Sequence, residues 1–132
     1  EGACYGQYFL EFGDYYSMEN IDGSAMLLLI YQSLRALLKP SIPNHLVRRI
    51  FELKMMVING EYTEHPPKKV SDSANYAWEF VICCPMEKLY TFALTEAVFQ
   101  EFERCVEMNM ERYVDREFHS LEILQMIFAA GS

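Results

Sequence analysis

Apolar residues recur along this chain at the three- and four-residue spacing of amphipathic helices, and no segment sustains the strict alternation of a half-buried strand. The spacing predicts a first helix over residues 3–15, with Tyr5, Phe9 and Phe12 on one side. Ser24 is placed to cap a second over 25–39, which is apolar nearly all round in its first two turns and is therefore expected to be the buried centre. Pro40 helps to end it. A third opens near Pro43 and stops at Gly60, a residue suited to the left-handed position after a helix. On that helix Leu46, Val47, Ile50, Phe51, Leu53, Val57 and Ile58 fall in one broad arc, and Arg48, Arg49 and Glu52 fall opposite. Lys54 intrudes on the apolar arc and is expected to reach outward along its aliphatic stem.

Residues 61–69, with Pro66, Pro67, Lys68 and Lys69, read as a loop. A fourth helix follows from Ser71 or Asp72, turns Ala74, Ala77, Trp78, Val81 and Ile82 inward, and ends before Pro85. The fifth and longest starts at Thr95, burying a stripe through Val98, Phe102, Cys105, Val106, Met110 and Tyr113. Its glutamates Glu101, Glu103, Glu107 and Glu111 read as a solvated face. Ser120 caps a short last helix through Phe128. The fold class expected is all-α, a single bundle of about six helices forming one domain over residues 1–132.

The 132 residues, 52% of them hydrophobic, are enough for one domain with a real core. The longest apolar run, 25–31, is far short of a bilayer span, so a soluble, cytoplasmic protein without membrane contact is expected. The chain starts at Glu1 without an initiator methionine, a basic leader or a cleavage pattern, and is expected to be a piece of a longer protein. Cys4, Cys83, Cys84 and Cys105 form no C-x-x-C and read as buried reduced thiols. His45, His65 and His119 lie far apart, so no metal and no cofactor is expected. There is no phosphate-cradling glycine loop and no nucleophile elbow, so an enzyme is not expected.

The net charge of −8 argues against nucleic-acid binding over the whole surface, but the charge is uneven. Residues 39–69 hold six basic residues (Lys39, Arg48, Arg49, Lys54, Lys68, Lys69) against three acidic ones, while from Ser71 onward four face eleven. The first region suits a polyanion or an acidic peptide; it also fits a mixed solvated surface, with Arg48 and Glu52 as a surface pair at i, i+4.

Residues 46–63, LVRRIFELKMMVINGEYT, resemble the helix that leads into the zinc-binding loop of the bacterial recombination mediator RecO. The resemblance continues, in order, through YFLEFGDYYSME at 8–19, the leucine-rich stretch 27–38, KLYTF at 88–92 and FHSLEIL at 118–124. It implies the helical C-terminal domain of a RecO-like protein. The C-x-x-C knuckle is missing between Pro67 and Ser71, as in other members, and the oligonucleotide-binding barrel that precedes this domain in the family is absent. His119 stands where the family often has a basic residue.

Membership implies a DNA-repair protein that binds single- and double-stranded DNA and anneals strands. It would work with RecR and the single-stranded-DNA-binding protein to load the recombinase in gap repair. The acidic, apolar-tipped tail of that binding protein needs a hydrophobic notch with a basic rim. Arg48, Arg49, Lys54, Lys68 and Lys69 are therefore expected to border the tail or the DNA path. The alternative, favoured by the acidity, is a helical scaffold that binds protein alone.

Overall fold

The computed structural model describes residues 2–17, 23–61 and 63–114, and these form five α-helices and no strand. The helices are α1 (Gly2–Ser17), α2 (Gly23–Leu37), α3 (Asn44–Ile58), α4 (Asp72–Cys83) and α5 (Glu96–Tyr113), with a short 3-10 turn at Met86–Lys88. The sixth helix expected from Ser120 lies outside the described residues.

Local chemistry sets the ends of these helices. Ser71 and Thr95 cap α4 and α5, their hydroxyl oxygens accepting the backbone N–H of Ala74 at 3.3 Å and of Val98 at 3.4 Å. Gly60 ends α3 at φ 77°, and the N–H groups of Gly60 and Glu61 return to the carbonyls of Val57 (3.1 Å) and Met56 (3.0 Å). This is the reciprocal C-terminal bonding that a left-handed residue permits.

The centre of the bundle is α3, which packs against α1, α2, α4 and α5. That corrects the expectation that α2 is the central helix. The inward face of α2 (Met26, Leu29, Ser33, Ala36) is buried, but Leu27, Leu28 and Tyr31 stand in solvent. An all-round apolar run signals burial only when every face finds a neighbour, and α2 meets α1, α3 and the 3-10 turn on one side.

With neighbours all round, every residue of α3 from 49 to 56 is buried, charged residues included. Phe51 stacks on Phe9 of α1 (centroids 4.2 Å apart, 28° between planes) and meets Phe12 edge-on at 5.6 Å. Each such pair adds about 0.5–1.5 kcal/mol beyond area burial. Where α1 crosses α2, a Cβ on Gly13 would sit 2.7 Å from Cδ1 of Ile30, so a larger residue there would require the end of the Ile30 side chain to shift. The loop after α3 is held down by Trp78 of α4, whose buried indole N–H donates to the carbonyl of Thr63 at 2.7 Å.

Candidate interaction site

The basic residues singled out in the sequence do not form one flank. On α3 the i, i+3 and i, i+4 spacings bring Arg49 and Arg48 onto Glu52, which has no solvent exposure. Arg48 Nε donates to Glu52 Oε2 at 3.2 Å and Arg49 Nη1 to Oε1 at 2.9 Å, while Tyr8 of α1 donates its hydroxyl proton to Oε2. Arg49 also reaches α5, with Nε 3.0 Å from Glu103 and Nη2 3.7 Å from Glu107. The guanidinium of Arg48 lies over the Tyr8 ring, 5.5 Å from its centroid.

The ionisation of this network follows from its surroundings. Burial works to raise the Glu52 pKa, but the charges of Arg48 and Arg49 and the hydrogen bond from Tyr8 hold it below the ordinary carboxylate value. Burial works to lower the Arg49 pKa, and the carboxylates of Glu52 and Glu103 overcome it and hold it raised. Tyr8 is pushed well above its usual value, first by burial and then by the charge of Glu52, so its hydroxyl stays a donor. The expectation that Arg48, Arg49 and Glu52 form a solvated face is therefore corrected. Arg49 is 6% exposed, and two guanidinium groups face three carboxylates.

The cleft that opens onto the network, about 470 Å³, is lined by Tyr5, His45, Arg48, Arg49, Phe99 and three glutamates, Glu96, Glu103 and Glu107. Its charge is not that of a phosphate cradle.

Lys54 differs again from expectation. It is 7% exposed, and its ammonium points inward to donate to the carbonyls of Val81 (3.0 Å), Ile82 (3.0 Å) and Cys84 (3.1 Å). It closes the C-terminus of α4, where unpaired carbonyls concentrate negative potential. Burial lowers its pKa.

Lys68 and Lys69 remain exposed in the loop before α4. Glu101 of α5 accepts the N–H of Ser71 at 3.0 Å and its hydroxyl at 2.7 Å, and its pKa is lowered first by these bonds and then by the nearby charge of Lys68. Glu101 and Glu103 are two residues apart, about 200° of rotation around α5. The arginine network and the lysine loop therefore meet opposite sides of that helix.

Between α4 and residues 91–94 runs an apolar groove of about 600 Å³, lined by Tyr76, Phe80, Phe92 and Leu94, with Asp72 as its charged group. It lacks a basic rim.

Of the cysteines expected to be buried, Cys105 is buried and Cys83 is exposed, with Cys4 and Cys84 between. No group of three metal-ligating side chains occurs among the described residues. Among them, too, no helix is long and apolar enough to cross a membrane.

The sequence pattern missed the roles of Glu103 and Glu107. The available signal was their i, i+4 spacing, which places two carboxylates on one face of α5. Fold and site together define an all-helical domain whose central helix carries an internal ion-pair network. Compared with protein-family models, curated proteins and solved structures, the chain matches none.

Proposed function

We propose that this chain is the helical part of a recombination mediator resembling RecO, acting in the cytoplasm in DNA repair through contacts to protein partners such as RecR and the tail of the single-stranded-DNA-binding protein. The observation that carries the reading is that two stretches of the resemblance interlock. Tyr8 and Phe9, from YFLEFGDYYSME, bond and stack with Glu52 and Phe51, from the FEL segment. Segments in which the resemblance was read separately thus pack into one core.

Protein contact is favoured over phosphate contact because Arg48, Arg49 and Lys54 are engaged within the fold. A second reading, direct DNA contact, rests on the exposed Lys68 and Lys69 and on the rest of a mediator. A catalytic role is not proposed: of the three glutamates lining the cleft, Glu103 and Glu107 serve as ion-pair partners of Arg49.

Binding of immobilised chain to purified RecR and to an acidic tail peptide, beside a single-stranded oligonucleotide, tests the reading. Saturable binding to either protein ligand with weak oligonucleotide binding is expected. Failure to bind both protein ligands overturns it.

A further inference from the structure

We infer that the outward face of α2 is a docking surface for a protein segment that carries carboxylates beside its apolar residues. Successive helical residues are rotated by about 100°, so Leu27 and Tyr31 share an arc of about 40°, with Arg35 and Leu28 extending it to about 100°, and Leu38 and Lys39 follow in the turn just past the helix end. All six are exposed, Leu27 at 69% and Leu38 at 85%. The opposite arc holds Met26, Leu29, Ser33 and Ala36, which are buried. A contiguous apolar strip of this kind on an otherwise well-packed helix marks an interaction surface.

The charge beside the strip narrows what fits it. The chain holds 19 acidic residues, yet none lies between Gly23 and Phe51. Of the four basic residues in that interval, Arg48 and Arg49 are taken up by the internal network. Arg35 and Lys39 form no ion pair among the described residues, and Arg35 lies over the Tyr31 ring, 5.6 Å from its centroid. Both line a cleft of about 230 Å³ with Gln32, Tyr90 and one acid, Glu87. A leucine and tyrosine strip edged by two solvated cations is complementary to an amphipathic helix with Asp or Glu flanking its apolar stripe.

Other occupants fit less well. A second copy paired through α2 would bring Arg35 and Lys39 against a helix that carries no carboxylate, with Glu87 as the one acid beside the face. An anionic lipid surface attracts the two cations by about 1 kcal/mol each but repels a chain of net charge −8. Nucleic acid offers phosphates to the cations and nothing to the leucines.

The inference deepens the protein-contact reading and rests on it. The two fail separately: RecR or tail binding that survives changes on α2 leaves the reading standing and removes this surface.

The experiment titrates the full chain against a labelled amphipathic helical peptide with a leucine stripe flanked by glutamates, its lysine-for-glutamate counterpart, and phosphatidylserine vesicles. The glutamate peptide is expected to bind and the other two are not. Arg35→Glu/Lys39→Glu is expected to weaken the glutamate peptide about tenfold and to admit the lysine peptide. Leu27→Ser/Tyr31→Ser is expected to weaken the glutamate peptide, with the melting temperature unchanged because the side chains are exposed. Glutamate-peptide binding indifferent to both variants, no peptide binding, vesicle binding in its place, or a dimer in sedimentation that Leu27→Ser/Tyr31→Ser dissolves would each overturn the inference.

Discussion

Tyr8 on α1 donates its hydroxyl proton to the carboxylate of Glu52 on α3, and neither residue has solvent exposure. Tyr8→Phe keeps the ring, which meets Phe12 edge-on at 5.8 Å, and removes one donor from a buried charge. The expected cost is about 1–3 kcal/mol. Urea unfolding checks it, as a lower midpoint with an unchanged slope.

Acid should weaken the fold through the same carboxylate. The folded Glu52 pKa is held below the ordinary value, which the unfolded chain recovers, so between the two values the unfolded state binds more protons. The contribution of Glu52 is complete above the ordinary carboxylate pKa, about 4, and is lost as pH falls through the folded value. Unfolding midpoints measured from neutral pH downward should fall for the native chain, and less steeply for Glu52→Gln.

The two basic regions should respond differently to truncation. Arg49→Ala leaves buried Glu52 with Arg48 and Tyr8 alone and takes the ion-pair partner from the partly exposed Glu103 and Glu107, at an expected cost of about 1–3 kcal/mol. Lys68→Ala/Lys69→Ala changes exposed residues and should alter stability by less than about 0.5 kcal/mol per site. Thermal or urea melts of both variants decide this.

Much of the fold was legible in the sequence, and the exceptions share a cause. Ser71 and Thr95 stand at the helix starts read from the sequence and cap them, and Gly60 ends α3 as expected, all by local properties, whereas Ser24, expected to cap α2, lies inside a helix that already runs from Gly23. The environment of α3 was not legible. A helical wheel assumes one solvated face, which suits α5, whereas α3 has neighbours on every side. Its polar residues had to be satisfied internally, Glu52 by Tyr8 and two arginines, Lys54 by the end of α4. Tyr8 and the end of α4 lie on other elements, which no periodicity within α3 reveals, whereas the Arg48–Glu52 pair was legible from its i, i+4 spacing. For the same reason the apolar run of α2 could not say that one of its faces lacks a neighbour among the described residues.

Lys54→Met tests that internal role. Methionine retains the buried stem and removes the donor shared by the carbonyls of Val81, Ile82 and Cys84. A loss of about 1–3 kcal/mol is expected. Hydrogen exchange should quicken first in the last turn of α4, while a lysine serving only the surface would leave that turn unchanged.

Gly60→Ala places a Cβ at φ 77°, with nothing within 4 Å of it. The strain is therefore in the backbone alone, about 1 kcal/mol, and should appear as a lower melting temperature with unchanged helix content by circular dichroism.

The salt dependence of oligonucleotide binding bears most directly on whether this chain works by protein or by phosphate contact. On duplex DNA each phosphate contact contributes about 0.9 to the slope of log affinity against log salt. With Arg48 and Arg49 held by Glu52, Glu103 and Glu107, the chain should bind weakly with a slope near zero. A steep slope worth several contacts, flattened by Lys68→Ala/Lys69→Ala, would contradict it.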